Sequence, residues 1–263
     1  MTRRNTTTGP MTTAIHAGET PDSATGASAP PIHMSSTFVS DDVSGFSAHD
    51  LTPDSPYAYA RWANPTTTML ETKIAAMQGT ESCLATASGM AAASAIFFTF
   101  LSAGDHAVVS DVSYAGVAEL VRDTLPRLGI EVSTVNMSDL DAVAEAIRPN
   151  TKLVHSESPV NPIIRLTDLA AVSKLAHDAG ALLSCDATFA SPMGLDSAAL
   201  GVDLVMDAEH GPMMLELNAR PGLNIQIAMD DGLLRRCQII EKQLEALKDE
   251  TRPVAERVAF AKH

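Results

Sequence analysis

Several residue classes are scarce in this chain, and each scarcity excludes something. There are only three cysteines, Cys83, Cys185 and Cys237, and no two form a Cys-x-x-Cys pair. An odd number at such wide spacing supports neither a disulfide framework nor a cysteine zinc site, and the apolar or helical settings suit buried thiols in a reducing compartment. Basic residues are also few: 18 Lys and Arg against 32 Asp and Glu leave a formal charge of -14. That sign repels phosphate backbones and anionic lipid surfaces, so no nucleic acid and no membrane is expected as a partner. No uninterrupted apolar run approaches the roughly 20 residues of a membrane span, and the N-terminus passes from Arg3 and Arg4 into threonines rather than into an apolar signal core. A soluble, cytoplasmic protein is the expectation. With 263 residues, 45% of them hydrophobic, it has material for one large domain or two smaller ones.

Three segments follow from the patterning. Residues 1–56 are rich in Thr, Ser, Pro and Gly with little periodicity, which predicts an extended N-terminal arm in need of a packing partner. Residues 57–205 alternate helix and strand signals. Helices are expected over Thr67–Gln78, Gly89–Leu101, Ala115–Leu128, Asp139–Ile147 and Asp168–Ala179, the last capped by Thr167 and stopped by Gly180. Strands are expected at Cys83–Thr86, Ala107–Ser110, Glu131–Val135, Leu153–Ser156, Leu182–Cys185 and Asp203–Val205. This alternation predicts an α/β three-layer sandwich whose mostly parallel sheet is covered on both faces. Residues 206–263 form a third segment of different character, ending in an amphipathic helix from Leu233 to Leu247.

Ligands of such sheets bind beyond the carboxyl ends of the strands, which directs attention to Ser88-Gly89-Met90, Asp111–Tyr114, Glu157–Asn161 and Asp186–Thr188. Ser88-Gly89-Met90 opens a helix, where first-turn amides and the positive end of the helix dipole suit a phosphate. A glycine that merely eases a tight turn is the alternative. Asp186 ends an apolar strand, where an ionised carboxylate needs a cation or strong donors, or else serves as a helix cap beside Thr188. Tyr114 is either a ring for stacking or an ordinary half-buried aromatic. Together, a phosphate cradle, an aromatic face and a buried carboxylate meet the needs of pyridoxal phosphate.

Six ordered stretches then carry a resemblance. They are Thr13-Ala14-Ile15-His16-Ala17-Gly18, Pro30-Pro31-Ile32 with Ser36-Thr37-Phe38, Tyr59 through Thr66, Ala87 through Ala92, Glu157 through Pro162, and Asp186 through Ala190. From about residue 12 to residue 205 the chain resembles the cysteine and methionine metabolism (trans-sulfuration) family of pyridoxal-phosphate-dependent enzymes. That family makes or breaks carbon–sulfur bonds at the β or γ carbon of amino acids. The resemblance implies a homo-oligomer with shared active sites, in which Tyr59 and Arg61 reach the cofactor phosphate of a neighbouring copy. It implies that Ser88, Gly89 and Met90 hold the phosphate, that Tyr114 stacks on the ring as the candidate catalytic residue, and that Asn161 bonds the ring hydroxyl. Asp186 would pair with the pyridine nitrogen and Thr188 would support the ring. The implied substrate is a small molecule, an amino acid, and no metal is implied.

Three departures qualify that expectation. The family's Asp-Asn-Thr reads Asp186-Ala187-Thr188 here, and the lysine that holds the cofactor as a Schiff base falls, in step, on Gly211. Glycine can neither form that bond nor carry a proton, so impaired turnover is expected. Lys73, Lys152, Lys174, Lys242, Lys248 and Lys262 are expected to be surface charges. The family's C-terminal domain, with its arginine for the substrate carboxylate, is also expected to be missing. In its place, residues 206–263 resemble the end of an ATP-grasp carboxylate–amine ligase of the glutamate-ligase type, through Gly211-Pro212 and Leu215 through Leu223. There Glu216 and Asn218, on one face of a strand, would hold magnesium. A ligase fragment using that pair and a noncatalytic oligomeric module are the alternatives to a trans-sulfuration enzyme.

Overall fold

The computed structural model describes residues 9–39 and 55–206, all within one compact unit spanning Met1–Leu215. Five strands, β1 (His106–Ser110), β2 (Glu131–Val135), β3 (Thr151–Glu157), β4 (Leu182–Asp186) and β5 (Leu204–Met206), form one sheet in the order β2-β1-β3-β4-β5. Every pairing is parallel. β1 is buried along its whole length and β3 at all but Lys152, as strands covered on both faces must be.

The helices are α1 (Pro10–His16), α2 (Pro65–Gln78), α3 (Gly89–Phe100), α4 (Ala115–Glu119), α5 (Leu140–Ala146), α6 (Leu169–Asp178) and α7 (Ser191–Gly194). The strands' period of two divides the core. Ala107, Val109, Leu153 and Met206 point to one face and pack with Ala93, Phe97, Val117 and Leu125. Val108, Val154, Leu183 and Cys185 point to the other and pack with Val143, Leu169, Val172 and Ala176. The sandwich therefore has three layers. In α6 the buried residues Leu169, Val172, Ser173 and Ala176 recur at helical spacing, so one stripe meets the sheet.

The structure corrects several expected boundaries. Cys83–Thr86 is not a strand: Leu84 is exposed, and the Ala85 amide donates to the Glu71 side chain (2.9 Å) instead of to a ladder. The helix expected over Ala115–Leu128 is broken into α4, a π turn at Leu120–Thr124 and a 3-10 turn at Pro126–Leu128. Pro126 has no N–H to continue an α-helix, and the Leu125 amide bonds Leu120 O (3.0 Å). α6 is capped by Asp168, whose Oδ1 accepts the Ala171 amide (3.0 Å), while Thr167 accepts from Ser156 Oγ (3.2 Å). A carboxylate answers the positive helix end better than a hydroxyl does.

The N-terminal arm is not uniformly extended, since Pro10–His16 is helical with Pro10 at its start. Lys73 of α2, expected on the surface, is largely covered. Its ammonium pairs with Glu19 and donates to the Ile15 carbonyl (3.2 Å), fastening the arm to α2. Lys152 and Lys174 are exposed as expected. Cys185 is buried but Cys83 only half-buried. The expectations for Cys237, Gly211, Glu216, Asn218, the other three lysines and the helix at Leu233–Leu247 lie outside the described residues. Among the described residues no helix is long and apolar enough to cross a membrane.

Candidate active site

Parallel pairing places the carboxyl ends of β1, β3 and β4 side by side, and the polar residues gather there. Glu157 ends β3 directly opposite Asp186 at the end of β4, and Asp186 is in turn opposite Met206 of β5. Glu157 is 6% exposed and Asp186 8%, so two carboxylates share a poorly hydrated place. By strand parity both lie on the face that carries Leu153 and Met206, toward α3.

Each carboxylate is held by backbone amides. Glu157 Oε2 accepts the Tyr114 N–H and Oε1 the Asn161 N–H, both at 2.7 Å. Asp186 Oδ1 accepts the Thr188 N–H at 3.0 Å. Burial lifts Glu157 from its ordinary range to about 7; the two amides oppose that rise and the charge of Asp186 reinforces it. Two register positions earlier, His155 bonds Ser184 Oγ through Nδ1 (2.8 Å) and meets Phe97 edge to face at 5.1 Å. Burial holds His155 down to about 4, partly offset by Asp186, so at neutral pH it is an uncharged ring. Burial also pushes the Cys185 thiol up.

Tyr114 precedes α4 and is 52% exposed. A Cβ on Gly116 would lie 2.7 Å from Met90 Sδ and 3.1 Å from Tyr114 Cε1, so the missing side chain is what lets these two approach. At the start of α3, Ser88 is the cap, its Oγ accepting the Ala91 N–H (3.1 Å). The Gly89 and Met90 amides that follow have no acceptor one turn back. The loop after β1 is tied to the loop after β3 by an ion pair between Asp111 and Arg165.

The structure thus brings together Met90, Tyr114, Asn161, Asp186 and Thr188. Tyr59 and Arg61 form a separate group: the Arg61 guanidinium lies 4.4 Å from the Tyr59 ring centroid, and Trp62 meets that ring edge-on at 5.9 Å. The residue that sequence reasoning left out of the site is Glu157. A carboxylate at the end of an apolar strand was the available signal; its register with Asp186 was not.

The model of the family described as Cys/Met metabolism PLP-dependent enzyme matches residues 11–210. The chain belongs to this family. L-Methionine gamma-lyase of Fusobacterium nucleatum subsp. polymorphum is 43% identical over 196 residues, covering 74% of this chain and 49% of that protein. Cystathionine gamma-synthase of Mycobacterium tuberculosis strain H37Rv is 40% identical over 198 residues, covering 75% and 49%. Cystathionine gamma-lyase from Lactobacillus plantarum, solved with L-serine, superposes with a TM-score of 0.69 at 37% identity over 75% of this chain and 49% of that one. The chain therefore spans about half the length of these relatives. A second family model, sugar-transfer associated ATP-grasp, matches residues 189–242 and overlaps the end of the first.

Proposed function

We propose that this chain binds pyridoxal phosphate noncovalently at the strand ends of β1, β3 and β4, as a trans-sulfuration family member with weak turnover. The observation that carries the reading is the convergence of an exposed aromatic ring, a helix start and an adjacent pair of buried carboxylates. The residues fit the group chemically. A cationic ring nitrogen is the partner that two neighbouring carboxylates call for, because it relieves their mutual repulsion. Asp186 takes that role, its plane fixed by the Thr188 amide. The Gly89 and Met90 amides, with Ser88 at the cap, receive the phosphate. Tyr114 offers its ring face, and Asn161 approaches the ring hydroxyl from the loop that Glu157 holds. When bound, the cofactor supplies an electron sink for carbanion chemistry next to an amino group.

Weak turnover is inferred from composition. No lysine occurs between Lys174 and Lys242, and the position in step with the family's lysine is Gly211. Without that amine the chain's residues orient and hold but do not move the α proton of an amino acid. The substrate class is a sulfur-containing amino acid, an assignment supported by the lyases and synthase named above. The family resemblance implies that Tyr59 and Arg61 act in the site of a second copy, and a guanidinium, which forks two donors onto one phosphate, suits that role. We read residues 1–56 as an arm, 57–205 as the cofactor domain and 206–263 as an ATP-grasp-like fragment; the second of these boundaries falls where the two family matches overlap.

The test is equilibrium titration of the full chain with pyridoxal phosphate, followed by absorbance. Saturable binding is expected, weakened about tenfold or more in Asp186→Ala, the scale of losing one hydrogen bond to a charged group. Equal affinity in both proteins would contradict the assignment.

A further inference from the structure

We propose that Glu157 is a positioning residue that fixes Tyr114 and Asn161 in cofactor-binding geometry by clamping both of their backbone amides with one carboxylate. The inference rests on the pyridoxal phosphate reading for its consequence, but not for its geometry.

Among the described residues, no strand ladder takes up the N–H of either Tyr114 or Asn161. Tyr114 sits between β1 and α4, outside any ladder, and its N–H donates to Glu157 Oε2 at 2.7 Å. Asn161 lies in the turn closed by the Val160–Arg165 bridge, and its N–H donates to Glu157 Oε1 at 2.7 Å. One buried side chain at the end of β3 therefore satisfies two amides from two separate segments, each amide belonging to a residue in the proposed cradle. Glu157 itself is anchored by packing and pairing: it is 6% exposed, and its backbone is in the sheet opposite Asp186. A rigid post with two short bonds sets where the Tyr114 ring begins and where the Asn161 side chain begins. Such buried support is how binding groups are kept within fractions of an ångström of working geometry. The Asp111–Arg165 ion pair joins the same two loops at a second point, so Glu157 acts at the Tyr114 and Asn161 amides themselves.

Glutamine in place of Glu157 keeps the shape and one acceptor, but its NH2 end opposes the second amide. Alanine removes both acceptors. Residue-resolved amide exchange on the full chain, without cofactor, reads the clamp directly. Tyr114 and Asn161 amides should exchange about tenfold faster or more in Glu157→Ala, with one of the two released in Glu157→Gln, while amides inside β1, β3 and β4 keep their wild-type protection. Pyridoxal phosphate affinity and the visible circular dichroism of the bound cofactor, which reports ring orientation, should change in the same order. Unaltered exchange at both amides in both variants would overturn the proposal. If alanine unfolds the chain, the glutamine variant decides. If wild-type protein binds no pyridoxal phosphate, the function proposed above fails, while the exchange experiment still decides whether Glu157 holds the two loops.

Discussion

Glu157 and Asp186 face each other across neighbouring parallel strands, each buried, each at the last residue of its strand, and each bonded to a loop amide rather than to a cation. Like charges so placed disfavour double ionisation. The pair stores a proton near neutrality and creates a preference for a positively charged group beside it.

The pH dependence of stability should carry the mark of this pair. Glu157 is raised from 4.5 to about 7, with burial as the main cause and Asp186 adding to it. The other titratable groups around the pair, His155 and Cys185, are both held neutral by burial near pH 7. Between pH 4.5 and 7 the folded chain retains a proton that the unfolded chain has released. This contribution is therefore complete below pH 4.5 and is lost as pH rises through 7, amounting to about 3 kcal/mol at most. Urea unfolding of wild type and Glu157→Gln across pH 4.5–8 should show the wild-type curve falling relative to the variant. Parallel curves would contradict it.

Gly116→Ala should disturb the site without unfolding the protein. The added Cβ would lie 2.7 Å from Met90 Sδ and 3.1 Å from Tyr114 Cε1. The methionine end is flexible and yields, so a stability loss of about 1 kcal/mol is expected. The displaced ring should weaken pyridoxal phosphate binding, measured by titration, by more in free energy than the protein loses in stability; unchanged affinity would contradict it.

Gly201→Ala tests the packing of α6 far from those residues. Gly201 has φ +85°, and a Cβ there would meet Ser173 Oγ at 2.4 Å, where that hydroxyl donates to the Gly201 carbonyl (2.8 Å). The left-handed backbone alone costs alanine about 1–2 kcal/mol, and the clash adds to it. Chemical denaturation should show at least that loss.

Phe97→Ala probes the core between α3 and the sheet. The ring is fully buried and packs edge-on against His155, so its removal should cost about 3–5 kcal/mol. A loss below 1 kcal/mol in denaturant unfolding would show that this layer is not packed as described.

Much of this architecture was legible in the residue pattern. The Glu131–Val135 strand was expected with the observed ends, and β1 and β4 to within one residue, because apolar runs bounded by turn residues leave few choices. The break at Pro126 was visible in principle, but the apolar spacing on both sides favoured one continuous helix. Cys83–Thr86 had a strand's composition and lacked only a neighbouring strand, which local pattern does not reveal. Glu157 was harder still, because its importance arises from register with Asp186 and from two loops meeting it, all tertiary facts. Asp186, by contrast, stood out as a carboxylate ending an apolar strand, and Tyr114 drew notice only through its place beyond a strand end and beside the other matched stretches.

The most direct test of the central claim, a pyridoxal phosphate cradle without a covalent anchor, is borohydride reduction of the full chain with added cofactor, followed by mass-spectrometric mapping of lysines. Saturable, fully reversible binding with no lysine labelled stoichiometrically is the expected result. A single lysine carrying one equivalent of reduced cofactor would contradict the account.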